Sequence, residues 1–308
     1  MEKTKRRKKN SIRNNWQLYC LLLPPIIFLA IFNYYPMYGA LIAFKDYTIG
    51  ADMLTCPWAG EYGLGNFIRF FSNYNFKECL INTLSISVYS LAVNFPCSIL
   101  LALCLNYVGR KGFRKTVQMV SYFPYFISTI VLVGMMNALF HARTGALGSF
   151  IFQMTGTNIL ANADAFSSLY VWSGVWQMIG FNSIIYISAL TGVDPQLHEA
   201  AVVEGATILQ RIRHIDLPAV LPTAAILLIL NVGSILNVGY EKVLAMQNPN
   251  NLRTSEVIST YSYKVALTAS IPDFSYATAI GLFQSVIGLI LLLIVNKVVK
   301  KLSGGGLL

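Results

Sequence analysis

The sequence predicts an all-α membrane protein with six transmembrane helices. Three observations predict it. The 308 residues are 55% hydrophobic but only 12% charged, where a soluble globular protein carries about 25% charged residues. Six apolar stretches reach the length of about 20 residues that a bilayer crossing needs. The basic residues, which give a formal charge of +10, gather at the ends of those stretches on alternating sides. That placement reports topology rather than nucleic-acid binding.

The spans are read as Leu18–Phe44, Leu80–Val108, Val117–Phe140, Phe166–Leu190, Leu217–Val238 and Phe274–Val295. The first contains Pro24, Pro25 and Pro36, which predicts a kink or a break near Asn33-Tyr34-Tyr35-Pro36. It exceeds the apolar region of a signal peptide and has no clear cleavage site, so it is read as a span. The second and third are joined by Arg110, Lys111, Arg114 and Lys115, and the fourth and fifth by a segment with Arg211 and Arg213. The N-terminus carries Lys3, Lys5, Arg6, Arg7, Lys8, Lys9 and Arg13, and the tail Lys297, Lys300 and Lys301. The opposite side holds the other seven basic residues. Both termini are therefore expected inside, with segments 45–79, 141–165 and 241–272 outside. The chain divides into a basic N-terminus (1–16), a first span with its outer segment (17–79), a five-helix core (80–296) and a tail (297–308).

No Asp, Glu, Lys or Arg lies within the core of a span. Ion-coupled carriers keep ionisable groups there, so the energy source is expected elsewhere. The chain also lacks a GxxxxGK[ST] phosphate loop. It shows no Ser/His/Asp set, no metal spacing and no paired intramembrane carboxylates. It is read as not an enzyme and as binding no cofactor itself. Cys20, Cys56, Cys79, Cys97 and Cys104 form no CxxC pair, and only Cys56 and Cys79 share an outer segment. A disulfide between those two and a pair of free thiols are both open readings.

The inner connection between the fourth and fifth spans is the most informative segment. Asp194 followed by Pro195 is a helix start, with the cap at Asp194 and the proline in the first turn. Leu197, Ala200, Ala201 and Glu204 follow at helical spacing, and Gly205 supplies a left-handed stop. A second short helix is expected from Thr207 to His214, with Pro218 opening the next span. His198 and His214 are read as loop-borne, His141 as interfacial, and none is assigned chemistry.

Glu199-Ala200-Ala201, Gly205, Ile215, Leu217 and Pro218 resemble the EAA signature of type I ABC importer permeases. The departures are Glu204, where aspartate is commoner, and Ile212, where phenylalanine is commoner. The resemblance implies that loop 194–218 is a coupling helix docking in a cleft of a separate ATPase, which holds ATP and magnesium. The segments Tyr34-Tyr35-Pro36-Met37-Tyr38-Gly39, Ala43-Phe44-Lys45-Asp46-Tyr47, Gly63-Leu64-Gly65-Asn66-Phe67, Tyr122–Ser128 and Phe274–Ala279 resemble maltose-permease-like carriers, especially the LplB-type polysaccharide permeases. So does the Gly304-Gly305-Gly306 tail. The likeness implies a type I ABC importer permease fold in a bacterial plasma membrane. It also implies a heterodimer with a second homologous permease, two ATPase copies, an extracellular substrate-binding lipoprotein and an oligosaccharide cargo. A non-sugar cargo (peptide, amino acid or anion) is the alternative. A channel independent of ATP or a membrane scaffold ranks below it.

Three polar stripes are candidates for a translocation path. Asn231, Ser234, Asn237 and Glu241 are placed on one face of the fifth span, a helix that lines the path in the resembled family. Ser173, Trp176, Gln177, Gly180 and Ser183 share a face of the fourth, and Asn82, Ser85 and Tyr89 a face of the second. Such residues suit sugar hydroxyls and pyranose faces. They also glue spans together, so pathway and packing both stay open.

Overall fold

The computed structural model describes residues 15–303. The basic run from Lys3 to Arg13 and the Gly304–Gly306 tail lie outside the described residues. Within them the chain is helical, with an isolated antiparallel bridge between Lys45 and Trp58.

Helix α1 runs Trp16–Phe44. It does not break at Asn33–Pro36. A π turn over Ala30–Tyr34 precedes the proline, with the Tyr35 N–H bonded to the Ala30 carbonyl five residues back. The wider turn carries the helix past Pro36, as π turns do where a regular ladder is interrupted. No residue of Trp16–Leu29 is buried, so this half of α1 stands clear of the bundle.

The short α2 (Gly65–Phe71) leads to α3 (Tyr74–Asn106). The third predicted span is two helices. α4 (Lys111–Tyr122) passes through a 3-10 turn (Phe123–Phe126), and α5 (Thr129–Phe140) leaves it at 101°. Pro124 and the extended Ile127 and Ser128 stop the first helix, and the Ser128 hydroxyl caps the second through the Val131 N–H. After α6 (Ala146–Thr155) comes α7 (Ala163–Thr191), 29 residues long.

The connection between the fourth and fifth predicted spans begins with α8 (Pro195–Val203). The second short helix expected at Thr207–His214 is instead the first turns of α9, which runs continuously over Ile208–Gly233. Thr207 and Gln210 close a capping box at its start. Pro218 does not open the helix but lies inside it. A second π turn over Ile212–Asp216 absorbs it, with the Leu217 N–H reaching the Ile212 carbonyl. α9 ends at Gly233, not at Val238. Three short helices follow, α10 (Tyr240–Met246), α11 (Leu252–Ser255) and α12 (Ile258–Tyr263), before α13 (Phe274–Ser303).

Among the described residues, four helices are long and apolar enough to cross a membrane: α1, α3, α9 and α13. The bent α4–α5 pair makes a fifth if counted as one crossing. α7 has the length but falls short in apolarity, because it carries the polar residues that face its neighbours. It is the hub of the bundle. Ala102 and Leu103 of α3, Tyr186 and Leu190 of α7, and Val220 and Ala224 of α9 form one buried cluster. Gly180 lets α7 touch the backbone of α4, because a Cβ there would overlap the Ser121 carbonyl. Small residues at such crossings set the approach of helices in lipid. A second cluster (Phe70, Cys79, Ile258, Tyr276, Ile280) ties α2, α3, α12 and α13. Cys56 and Cys79 are separate buried thiols.

Candidate functional site

A cavity of about 640 Å³ opens between α3, α7 and α9. That volume lies in the range of small-molecule sites, about 300–1,000 Å³. Ser87, Ser90, Asn94 and Ser98 of α3 line it at spacings of three, four and four, which is one helix face. Gln177 and Asn182 of α7 line the second wall, and Asn231, Ser234 and Asn237 the third. The lining is rich in hydroxyls and amides, and its one charged residue is Lys242 at the start of α10.

The fifth-span stripe enters the cavity, but not as a helix face. α9 stops at Gly233, Ser234–Leu236 turns, and the Asn237 N–H closes that turn onto the Ser234 carbonyl at 2.8 Å. The break rotates the chain, so Glu241 is exposed and Lys242 takes the cavity side. On α7, Gln177 lines the cavity and donates to the Ile127 carbonyl at 2.8 Å, filling the acceptor freed by the break before α5. Trp176 is exposed and does not line it. Ser183 is fully buried and donates to the Gly180 carbonyl at 2.5 Å. The Ser173 hydroxyl returns to the Leu169 carbonyl. The predicted α3 stripe points elsewhere. Asn82 donates to the carbonyls of Arg253 and Glu256, Tyr89 accepts from the Trp172 indole at 3.0 Å, and Ser85 is exposed.

Two polar atoms at this cavity are under-used. The Asn94 side chain donates to Ser90 at 3.0 Å, while its Oδ1 is buried and has no partner. Lys242 is 8% exposed; its Nζ donates to the Tyr170 carbonyl at 2.9 Å and sits 4.6 Å from the Tyr170 ring centre. Burial pulls this ammonium down to about 8, because low polarity penalises the charged form.

At the other end of α9, α8 is built as its sequence predicts. The Asp194 carboxylate accepts from the Gln196 N–H at 3.0 Å. Gly205 has φ +77, the Ala206 N–H bonds the Ala201 carbonyl and the Gly205 N–H bonds that of Val202. This is the Schellman stop. Glu199, Ala200, Val202, Val203 and Glu204 are exposed. Ala201, Ile212 and Ile215 are half-buried, and Leu217 and Pro218 are exposed. Behind α8 lies a group that sequence reasoning missed. Asp216 is fully buried and accepts from the Tyr107 hydroxyl at 2.5 Å and the Asn106 amide at 3.5 Å. His198 of α8 places Nε2 3.4 Å from the same carboxylate. Three elements thus meet on one acid. The signal available was an aspartate beside the start of an apolar run, where a charge needs partners.

Residues 94–304 match the model of the family described as "Binding-protein-dependent transport system inner membrane component". The chain is 38% identical over 298 residues to Protein LplB of Bacillus subtilis (strain 168), covering 96% of this chain and 92% of that one. It is equally identical over 308 residues to the polygalacturonan/rhamnogalacturonan transport system permease protein YteP of the same organism, covering 99% and 94%. Among solved structures, it is similar to a chain of a bacterial ABC transporter that imports the acidic polysaccharide alginate. The TM-score is 0.83, with 36% identity over 95% of this chain and 98% of that one. A second structure, the alginate transporter with a pentasaccharide-bound periplasmic protein, gives a TM-score of 0.86 at 35% identity, covering 98% and 100%. The chain belongs to the family of inner membrane components of binding-protein-dependent transport systems.

Proposed function

We propose that this chain is one permease subunit of an ATP-driven importer that moves an oligosaccharide or polysaccharide fragment into the cell. The observation that carries the reading is the pairing of an uncovered, firmly capped helix, α8, with a polar cavity on the same long helix, α9. At 1.5 Å per residue, α9 spans about 39 Å. A push on α8 is therefore delivered by a rigid rod to the cavity wall.

In this reading α4–α5 and α7 complete six crossings, both termini are cytoplasmic, and the α10–α12 segment faces outward. A second permease covers the open side of the bundle, including the unaccompanied half of α1. Two ATPase copies hold ATP and magnesium, and one cleft receives α8 with Glu199, Ala200 and Glu204. A substrate-loaded extracellular binding protein docks outside. Closure of the ATPase pair moves α8, and the differing fit of α8 in open and closed clefts biases the permease between inward and outward states.

The test is sugar-stimulated ATPase activity in proteoliposomes containing the co-expressed permease, ATPase and binding protein, with a panel of oligosaccharides. Stimulation by one glycan class, lost in Glu199→Arg, is expected. Flux indifferent to ATP, or no ATPase partner, would overturn the reading in favour of a channel or scaffold.

A further inference from the structure

The cavity asks for two kinds of group. Its neutral wall of serines and asparagines offers partners for hydroxyls, and the buried Asn94 Oδ1 is an acceptor without a donor. A buried acceptor left empty costs free energy that a donor recovers. The charged feature is different. Lys242 is the sole charged residue lining the cavity, and among the described residues no carboxylate lies within ion-pair distance of its ammonium. An ammonium has three donors; the Tyr170 carbonyl takes one, and the Tyr170 ring faces the charge. Gly174 stands directly beside it, since a Cβ there would lie 3.4 Å from Nζ. The absent side chain at Gly174 leaves the head group open to the cavity. A nine-tenths-buried cation with free donors and no counter-ion is a costly arrangement that an incoming anion relieves.

Resting on the importer reading, we propose that the cargo is a carboxylated oligosaccharide, and that Lys242 binds a sugar carboxylate while Asn94 accepts a hydroxyl of the same ligand. The two groups approach from different walls. Asn94 projects from α3, and Lys242 from the segment that follows the break of α9. A uronic-acid unit, with one carboxylate and several ring hydroxyls, satisfies both at once; a neutral sugar leaves the ammonium unpaired. Lys242 sits past the end of α9 that is far from α8, so the carboxylate is read near the end of the cavity away from the ATPase.

The experiment uses the assembled transporter in proteoliposomes with its binding protein. Two cargoes are compared: an oligogalacturonide, and the same oligomer with its carboxyls reduced to primary alcohols. Uptake is measured for wild type, Lys242→Met and Lys242→Arg. A charge-assisted contact supports about a 10- to 100-fold preference for the acid over the alcohol in the wild type. Lys242→Met should narrow that ratio about tenfold, and Lys242→Arg should retain most of it. Because the binding protein is common to all three, a narrowing belongs to the permease. An unchanged ratio in an assembled Lys242→Met transporter, or a wild type that prefers the alcohol, would overturn the proposal while leaving the importer intact. Uptake of neither cargo by a transporter that a neutral glycan stimulates would likewise overturn the proposal, whereas absence of ATP-dependent uptake across the whole oligosaccharide panel would defeat the importer reading, and this inference with it.

Discussion

Asp216 lies in the early turns of α9 and Lys242 beyond its far end; both are buried, and their surroundings differ. Asp216 is fully enclosed and is met by Tyr107, Asn106 and His198 from two other elements. Lys242 has one carbonyl and one aromatic face, and the rest of its head group borders the cavity. A buried charge that the chain itself satisfies ties elements together. A buried charge left short of partners costs stability in the free protein and repays it when a ligand arrives. The Asp216 cluster thus ties α8, α3 and α9 together, and in the proposed reading it acts as a brace while the cavity end acts as a site.

The sharpest way to break this contrast is to delete the acid. Asp216→Ala leaves the Tyr107 hydroxyl and the Asn106 amide without their acceptor and frees His198. Leaving a buried donor without its acceptor costs about 1–3 kcal/mol. Thermal unfolding of the purified complex should shift down accordingly, and sugar-stimulated ATPase should fall further than basal ATPase. Stability equal to wild type would show that the cluster is incidental.

Lys242 should behave oppositely. Its ammonium is lowered from 10.5 to about 8 by burial, a difference worth roughly 3 kcal/mol at 1.36 kcal/mol per unit. The unfolded chain therefore binds more protons than the folded one between about pH 8 and 10.5, and stability contributed by this group rises with pH across that window. Below pH 8 both states are charged and the full penalty is present. Lys242→Met should raise the melting temperature at pH 7 and flatten the pH dependence between 8 and 10.5. A destabilised Lys242→Met protein would place Lys242 with Asp216, as a structural charge. The titratable group that faces it is the Tyr170 phenol of α7, over whose ring the ammonium sits, while the neighbouring Glu241 is exposed.

The two ends also differ in how far the sequence revealed them. The α8 turn was legible because its determinants are local: Asp194 as cap, Pro195 in the first turn and Gly205 at the stop. The cavity was legible only in part, because its walls are set by tertiary choices. On α3 both faces carry polar residues. Periodicity alone did not separate Asn82, Ser85 and Tyr89, of which Asn82 and Tyr89 bond to neighbouring segments, from Ser87, Ser90, Asn94 and Ser98, which line the cavity. The fifth-span stripe assumed an unbroken helix through Glu241, whereas Gly233 ends it. Proline position alone did not locate the breaks. Pro36 and Pro218 sit within continuous helices because π turns precede them, while Pro124 marks a 101° bend inside what reads as a single apolar run.

The smallest effect on stability is expected at Gly205, which tests whether α8 must stop where it does. Gly205 adopts φ +77 with nothing within 4 Å of its Cβ position, so alanine fits sterically but pays for the left-handed backbone, about 1–2 kcal/mol. Proline is worse, since its φ is fixed near −65° and it removes the N–H that bonds the Val202 carbonyl. Both substitutions lie on an exposed turn, so the bundle should still assemble, with Gly205→Ala shifting the melting temperature only slightly. What should suffer is the link between the ATPase and the cavity. Gly205→Ala should lower sugar-stimulated ATPase several-fold and Gly205→Pro should abolish transport, both with membrane insertion intact. If Gly205→Pro transports like wild type, α8 need not be a rigid, sharply ended piece. The brace at Asp216 would then hold the fold without transmitting anything to the cavity.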